Sequence, residues 1–409
     1  MIFVIELKSK AFWQASLALG LAAFIAFANL YYTQPILPLL SAEFSVSPLA
    51  SSLTVSLALL SVAVFFFIFS ALSDAVGRKK VMVIAMICLL MTTFAIAFVQ
   101  SFQTLLLLRI FQGVFIAGIP TIAIAYIGEE FSARALSVAI GIYISMNSIG
   151  GMGGRVISGV LTDLFHWRIA FVFIGCLSFI FMILFMKLLP PSNHFKTRKF
   201  ERHKAVSDYL GHFRNRTIRL ALLVGGLHFF IFVGLYSYVT YLLTAPPFSL
   251  PTVFIGVLFL TYLPGTISST LAGKTALLWS QSTTIVVGIF LMIIGTLIML
   301  FTNLVAIIIG LLILSFGFFF SHSALNAWVS TRALFAKASA SGLYLTSYYV
   351  GGSLGSFYLG FFWHYWHWYG VIVGTLLVLI VTSLLVMQML LIEQKTSEPR
   401  SNYQLLNVK

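Results

Sequence analysis

The chain has 409 residues, of which 60% are hydrophobic and 8% charged, with a mean hydropathy of +1.04; this excludes a soluble globular protein, in which about a quarter of residues are charged. Since one helical span needs about 20 apolar residues, the length allows about 12 spans with short loops. The net charge of +14 does not indicate nucleic acid, because 21 of the 24 Lys and Arg residues lie in the termini and the even-numbered loops, a bias that predicts cytoplasmic termini.

The first predicted span, residues 15–40, ends in the polar run NLYYTQPILP. Asn29 and Tyr32 are three residues apart and therefore share a helix face, and Gln34 extends that face. We predict that these three side chains line a substrate-binding site. The prolines of the run either end the helix or kink it as a gate, and the sequence leaves both possibilities open.

The second predicted span, residues 49–72, leads into the loop SALSDAVGRKK, which places Asp74 four residues before Arg78. Such an ion pair at a helix junction can stabilise one of two conformations of a transporter and break in the other. The alternative is an ordinary pair of solvated loop charges. The matching loop of the second half has Gly273 in place of Asp74, which predicts that only the first half carries this pair.

The third predicted span covers residues 81–99, the fourth contains residues 105–120, and a loop at 128–134 precedes the fifth, at 141–168, and the sixth, at 169–189. Arg109 and Arg155 lie inside spans four and five, where an arginine costs about 2.5 to 3.5 kcal/mol. None of the ten acidic residues lies deep in a span. We therefore predict that the Arg155 fork binds an anionic group of the substrate, with Asn147 on the same face. The alternative is a structural Arg155 that bonds helix carbonyls and Asn147.

Residues 190–217 are rich in Lys and Arg and predict a linker with a short helix near 205–213. The spans of the second half are predicted at 218–244, 252–273, 282–302, 304–327, 338–363 and 369–392. His228 and His322 lie inside two of these spans and titrate near neutral pH, so either can carry a coupling proton; the alternative is a structural role. Tyr348 is predicted to line the substrate site. The two cysteines lie inside apolar spans and form no metal or disulfide motif, so we expect no metal and no cofactor, only the proton motive force.

The fifth and eleventh spans repeat each other, because residues 141–168 and 342–369 align at an offset of 201 with eight of 28 positions identical. The identities include five glycine pairs and a His-Trp pair in each copy: His166-Trp167 and His367-Trp368. The repeat predicts two pseudo-symmetric halves: a six-helix bundle over 1–189, a basic linker over 190–217, a second six-helix bundle over 218–392 and a cytoplasmic tail over 393–409. Small residues permit close helix approach, which predicts packing roles for Gly150, Gly154, Gly351 and Gly355.

Three segments resemble signatures of the major facilitator superfamily. The loop SALSDAVGRKK resembles G-x-L-x-D-R-x-G-R-[KR] at Leu72, Asp74, Gly77, Arg78 and Lys79, with Ser70 and Ala75 departing from the pattern. LLLLRIFQGVFIAG resembles the helix-four signature L-x-x-x-R-x-x-Q-G-x-x-x-A at Leu105, Arg109, Gln112, Gly113 and Ala117. NSIGGMGG resembles the helix-five motif of drug/proton antiporters without its proline, and with NLYYTQPILP it is similar to a bacterial efflux-permease subgroup.

The resemblance implies an all-α membrane protein with 12 transmembrane helices in two six-helix bundles. It also implies that Asp74 and Arg78 stabilise an outward-facing state, and that Arg109 and Gln112 act in proton coupling or helix positioning.

Together these observations predict a secondary transporter that exports small amphipathic or anionic molecules in exchange for protons, by alternating access, in the inner membrane of a bacterium. Import or export of a specific polycarboxylate such as a siderophore is the alternative within transport, and a membrane receptor that binds without transport is the alternative of another class. An enzyme is not predicted, because no nucleophile, base and orienting residue converge by motif. The expected partners are a small-molecule substrate, protons and membrane lipid, with no nucleic acid, and a monomer is expected.

Overall fold

The computed structural model of the protein describes residues 4–192, 194–195 and 202–397, and these are mostly α-helical. The helices are α1 (Lys10–Tyr31), α2 (Leu37–Glu43), α3 (Pro48–Val76), α4 (Arg78–Ile96), α5 (Phe102–Ala117), α6 (Pro120–Glu130), α7 (Ala133–Leu164), α8 (Trp167–Leu188), α9 (Arg202–Arg214), α10 (Arg216–Thr244), α11 (Thr252–Leu258), α12 (Leu263–Leu278), α13 (Gln281–Ile298), α14 (Leu304–Arg332) and α15 (Lys337–Ser397). In this described part of the chain, 11 helical segments are long and apolar enough to cross a membrane. The last of them, Ser339–Gln394, spans 56 residues and leaves helical geometry at Trp366 and His367. Its length suffices for two crossings, which agrees with the 12 predicted spans.

The first span changes its helical geometry at the prolines. Helix α1 ends at Tyr31, a 3₁₀ turn covers Gln34–Ile36, and α2 follows. Pro35 and Pro38 both stand in the first turn of a new helical element, where proline is well tolerated because the missing N–H would have no helical partner. The prolines therefore stand where one helix ends and the next begins, and a role of this turn as a gate stays a prediction.

The junction between α6 and α7 is shorter than the predicted loop at 128–134, since only Phe131 and Ser132 separate the two helices. An extended N-terminal segment pairs with it: Ile5 N donates to Glu130 O at 2.8 Å, and Ser132 N donates to Ile5 O at 3.1 Å. The predicted linker helix is present as α9. The remainder of the predicted linker at 193 and 196–201, and the tail from 398 onwards, lie outside the described residues.

The described helices form two units. The first contains the described residues up to 195 together with Tyr236–Leu260, which we call the inserted segment; the second contains Arg202–Leu235 and the described residues from Thr261 onwards. The inserted segment comprises the last part of α10, all of α11 and the start of the following 3₁₀ turn. The predicted sequence boundaries at 190–217 stay a prediction.

The same pair of matched glycines forms a close helix crossing in each unit. A Cβ added to Gly150 or Gly154 on α7 would lie 2.7 Å from Phe24 Cα or 2.6 Å from Ala28 Cα on α1, respectively. A Cβ on Gly351 or Gly355 of α15 would lie 2.8 Å from the Cα of Gly226 or Phe230 on α10, respectively. Since these neighbours are backbone atoms, the spacing of both crossings depends on the missing side chain.

Replacing Gly154 with Ala should therefore lower the melting temperature of the purified protein. The new methyl group meets the backbone of α1, and overpacking of this kind costs about 1 to 3 kcal/mol. Gly141→Ala on the same helix is the matched control, because nothing lies within 4 Å of its added Cβ. A thermal-shift measurement in detergent compares the two variants, and equal melting temperatures would contradict the packing role.

The repeated His-Trp pair anchors the turn before the last span of each half. Trp167 donates its indole N–H to the Glu43 carboxylate, and Arg168 Nη2 donates to Val99 O, just beyond α4, at 2.8 Å. In the second unit Trp368 Nε1 donates to Met299 O, just beyond α13, at 2.9 Å. Both tryptophans are buried. The repeated tryptophan thus fixes the turn before the last span in each unit and is part of the scaffold.

Candidate functional site

The guanidinium of Arg155 on α7 is almost completely buried and is held mainly by one amide oxygen. Its Nε and Nη2 donate to Gln34 Oε1 at 3.0 and 2.7 Å, and its Nη1 donates to Gly151 O at 2.9 Å. The ring centroids of Tyr31 and Phe259 lie 4.1 and 4.7 Å from its Cζ, a distance at which an aromatic face attracts a cation. A neutral amide therefore occupies the two donors that a carboxylate binds best.

The inserted segment reaches this arginine from two places. Ser237 on α10 accepts a hydrogen bond from Gln34 Nε2 at 3.2 Å, while Phe259, at the end of the segment, faces Arg155 as described above. Sequence reasoning found Gln34 and Arg155 but missed Ser237 and Phe259. Neither residue belongs to a motif, and their proximity to Arg155 arises only from the tertiary fold.

Further contacts within the first unit fasten the inserted segment. Thr252 N donates to Asp163 Oδ1 at 3.1 Å, Tyr241 OH donates to Leu37 O at 3.0 Å and also bonds Ser51, and a Cβ on Gly256 would lie 2.9 Å from Arg155 O. The contacts involve α2, α3 and α7. Most of these are single hydrogen bonds to neutral groups, each worth about 1 kcal/mol net.

Asn147 lies two turns before Arg155 on the same face of α7, separated from it by Gly151. Its Oδ1 is shielded from solvent and has no hydrogen-bond partner among the described residues. A buried acceptor without a partner costs about 1 to 3 kcal/mol, which a hydrogen bond from a bound molecule would recover. The structural alternative for Arg155 predicted bonds to helix carbonyls and to Asn147. The described contacts include the bond to a helix carbonyl, Gly151 O, but none to Asn147 Oδ1.

Arg109 on α5 is completely buried and bonds protein acceptors with every nitrogen. Its Nε donates to Thr54 O at 2.7 Å, its Nη1 to Asn29 O at 2.8 Å and its Nη2 to Leu30 O at 2.6 Å, while Nη1 also lies 2.6 Å from Gln112 Oε1. Two of these carbonyls belong to the last turn of α1, where no helical N–H follows to bond them. Arg109 therefore caps α1 from the side and ties it to α3.

Asn29 and Tyr32 lie in the packed interior of the first unit rather than on an open polar face. Asn29 Nδ2 donates to Ser178 Oγ at 3.0 Å, and its Oδ1 accepts from Thr93 at 2.8 Å. Tyr32 OH accepts from Gln112 Nε2 at 3.1 Å. Both side chains are fully buried, so of the three residues predicted to line the site along this run, only Gln34 contacts Arg155. Asn29 and Tyr32 do share a face, because Tyr32 keeps helical backbone angles and both side chains join the hydrogen bonds of Thr93 and Gln112.

Arg78, at the start of α4, joins two acids. Its Nη1 lies 2.5 Å from Asp74 Oδ1, as the four-residue spacing predicts, and its Nε and Nη2 donate to the two carboxylate oxygens of Glu129 at 3.1 and 2.6 Å. Ser73 Oγ accepts from Nη1 at 2.6 Å. Sequence reasoning missed Glu129. Two features could have indicated this contact: the acid lies near the end of the fourth span, and α4 begins with basic residues.

The second unit has its own ion pair, which joins α14 and α15. Arg332 Nη2 bonds Glu393 Oε1 at 2.8 Å, and its Nη1 bonds Gln281 Oε1 at 2.5 Å. The turn between α12 and α13 has its positive-φ residue at Ser280, as the α3–α4 turn has Gly77, so Gln281 corresponds to Arg78 by its position after the turn. Gln281 is neutral, and the prediction that only the first half carries an ion pair within this loop stays a prediction.

The two intramembrane histidines lie close together in the second unit. His228 Nδ1 is 3.2 Å from Ser321 Oγ, and its Nε2 is buried with no hydrogen-bond partner among the described residues. His322 Nδ1 is 2.9 Å from Tyr344 OH, and the ring of Tyr348 lies 4.7 Å from the imidazole. Tyr348 also stacks on Phe229 at 3.8 Å. The geometry brings together three residues that the sequence had suggested separately.

A family model described as Major Facilitator Superfamily matches residues 19–356. The uncharacterized MFS-type transporter YybF of Bacillus subtilis (strain 168) is 38% identical over 364 residues, which cover 89% of this chain and 90% of that protein. The inner membrane transport protein YnfM of Escherichia coli (strain K12) is 37% identical over 380 residues, 93% of this chain and 91% of the relative. Among solved structures, a bacterial homolog of the human lysosomal transporter Spinster in an inward-facing, unoccupied conformation matches with a TM-score of 0.75 at 16% identity, covering 94% of this chain and 97% of that chain.

Proposed function

Because the chain belongs to the Major Facilitator Superfamily and is therefore a multi-pass membrane transporter rather than an enzyme, we propose that it exports small amphipathic or anionic molecules from a bacterial cytoplasm in exchange for protons. The proposal places it in the inner membrane, with both termini in the cytoplasm, and has it act as a monomer by alternating access. The proton motive force would drive the exchange without a cofactor.

The buried fork of Arg155 carries this proposal. Its Nε and Nη2 point at one oxygen atom of Gln34, an arrangement that a carboxylate can take over with a stronger, charge-assisted pair of bonds. The unpartnered Oδ1 of Asn147, two turns away, offers an acceptor for a hydroxyl or amine on the same molecule. A compact organic anion with one polar group beyond its carboxylate fits this pair of features.

A polycarboxylate substrate is less well supported than a monoanion. The sequence places two arginines inside spans, and each could bind one carboxylate of such a substrate. The donors of Arg109, however, already bond carbonyls and Gln112. Breaking those bonds to bind a ligand would leave buried carbonyls without donors, at a cost of about 1 to 3 kcal/mol each. Of these two arginines, we assign only Arg155 to the substrate.

His228 and His322 are our candidates for the proton. Each lies in a membrane-spanning helix of the second unit and shares a hydrogen bond with a hydroxyl group, His228 with Ser321 and His322 with Tyr344. A histidine can change its charge within the physiological pH range, and the described spans contain acids only near their ends. A non-transporting receptor would need no such group.

Flux into proteoliposomes with an imposed pH gradient tests the proposed function. We expect carboxylates such as benzoate to be taken up faster than matched neutral amides or cationic drugs, and Arg155→Ala to abolish this flux while Arg155→Lys retains part of it, because lysine keeps the charge but not the fork. Size-exclusion profiles should show that both variants fold. Preference for cations, wild-type kinetics in Arg155→Ala, or binding without flux would each overturn the proposal.

A further inference from the structure

Gln34 contacts both the proposed substrate arginine, Arg155, and the inserted segment. Its Oε1 accepts hydrogen bonds from both Nε and Nη2 of Arg155, and its Nε2 donates to Ser237 Oγ on the inserted segment at 3.2 Å. Gln34 is completely buried. One side chain therefore forms a bridge from the fork of Arg155 to α10.

The amide oxygen of Gln34 stands where a substrate carboxylate would stand. Nε and Nη2 are adjacent donors on one edge of the planar guanidinium, and this edge matches the two oxygens of a carboxylate. Gln34 offers it a single neutral oxygen, so the present pairing is the weaker version of the same contact. An incoming carboxylate can displace it, since it adds a negative charge and a second acceptor oxygen, which together allow the bidentate pairing that a single amide oxygen does not provide.

The remaining contacts of Arg155 show what such a displacement would leave unchanged. Nη1 keeps its bond to Gly151 O on the same helix, and the ring of Tyr31 still covers one face of the guanidinium. The guanidinium therefore stays in place while its partner changes. The displaced Gln34 side chain loses its two bonds to Arg155, and with them the orientation that lets Nε2 reach Ser237.

We propose that Gln34 is an internal stand-in for the substrate carboxylate, and that an organic carboxylate which takes its place on Arg155 releases the Gln34–Ser237 bond and so loosens the inserted segment from the rest of the first unit. The inference rests on the proposed function, because it requires Arg155 to bind the anion. It adds the ligand's recognised group, a carboxylate, and a specificity role for Gln34 that no sequence motif marks. A neutral amide should not trigger this release, because it offers Arg155 no stronger bond than Gln34 does.

A disulfide reporter can measure the release at a contact remote from Gln34. Asp163 and Thr252 touch through a hydrogen bond of 3.1 Å at the start of α11, so cysteines at these two positions, in a protein whose Cys88 and Cys176 are replaced by Ser, should cross-link while the inserted segment is closed. The full-length protein in proteoliposomes is oxidised with copper phenanthroline at increasing sodium benzoate, with benzamide as the neutral probe. We expect benzoate to slow cross-linking and benzamide to have no effect.

Two substitutions of Gln34 should change the response in opposite directions. Gln34→Glu supplies a permanent carboxylate to Arg155, so the concentration of benzoate that halves cross-linking should rise about tenfold or more. Gln34→Ala removes the competitor, so cross-linking should already be slower without benzoate and the half-effect concentration should fall several-fold. Gln103→Glu, an exposed position at the start of α5, is the control for an added charge.

The outcomes separate the two proposals. If the flux screen finds no carboxylate that depends on Arg155, the proposed function fails and the exchange at Gln34 fails with it. If a carboxylate is transported in an Arg155-dependent way but its half-effect concentration is the same in wild type, Gln34→Glu and Gln34→Ala, the proposed function stands and the stand-in role of Gln34 is overturned. A similar shift in Gln103→Glu would likewise overturn it.

Discussion

Arg109→Ala is expected to leave little folded protein in the membrane fraction. The substitution removes the donors of two buried carbonyls at the end of α1, Asn29 O and Leu30 O, and also the bonds to Thr54 O and to Gln112, which keeps its contact with the Tyr32 hydroxyl. An abandoned buried acceptor costs about 1 to 3 kcal/mol, so the two carbonyls of α1 alone cost about 2 to 6 kcal/mol. This is a large part of the stability of a typical folded domain. The yield of monodisperse protein on size exclusion and its melting temperature measure the loss.

Arg155→Ala is the matched control for this experiment, because it removes the same charged group from another span of the same unit. The described hydrogen bonds of Arg155 reach the Gln34 side chain and a carbonyl of its own helix, whereas those of Arg109 reach carbonyls at the end of another helix, so the loss of Arg155 should lower the melting temperature much less. Arg109→Lys should rescue Arg109→Ala only in part, because a single ammonium cannot reproduce the spread of donors of a guanidinium. A melting temperature for Arg109→Ala equal to that of wild type would show that Arg109 does not hold α1 to α3.

Asp74→Asn is expected to slow transport at least about tenfold while the protein still folds and reaches the membrane. Arg78 keeps both of its bonds to Glu129 and its bond to Ser73, so the helix junction remains supported. The substitution nevertheless removes the charge from one of the two acids on Arg78, and a change of about 1.4 kcal/mol in the balance between two conformations alters their ratio tenfold. Initial rates of proton-driven flux at equal protein density provide the measurement.

Glu129→Gln should give a similar defect, because Glu129 binds the same arginine from the end of α6, and the double variant should be little slower than either single one if the three residues act as a unit. Glu6→Gln, an exposed acid in the N-terminal segment, serves as the control. Wild-type flux in Asp74→Asn would show that Asp74 is an ordinary surface charge and that the ion pair has no part in the transport cycle.

The sequence predicted those features that local spacing determines. The apolar runs gave the helices, the four-residue spacing gave the pair of Asp74 and Arg78, and the repeat pointed to the glycines at both helix crossings. It could not show that Arg109 caps α1 and Arg155 does not, because both arginines stand in equally apolar spans. The acceptors that distinguish them lie on α1, α3 and the turn after α1, and only the tertiary fold brings them near.

The spacing of Asn29 and Tyr32 did predict a shared face, since both side chains join the hydrogen bonds of Thr93 and Gln112. The alignment of Gly273 with Asp74 was less accurate. It places the turn of the second half three residues later, at 276, whereas the positive-φ residue lies four residues beyond that, at Ser280. A pattern was carried past the point at which the backbone changes its geometry.

The two arginines also differ in how readily their surroundings can change over generations. The main partners of Arg109 include three backbone carbonyls, which no single codon change can alter, so that position tolerates little variation. The main partner of Arg155 is the side chain of Gln34, which a single substitution can shorten, charge or remove. Laboratory selection for growth on a toxic compound that the wild type cannot export should therefore enrich variants at Gln34, and deep sequencing of the survivors should find position 109 unchanged.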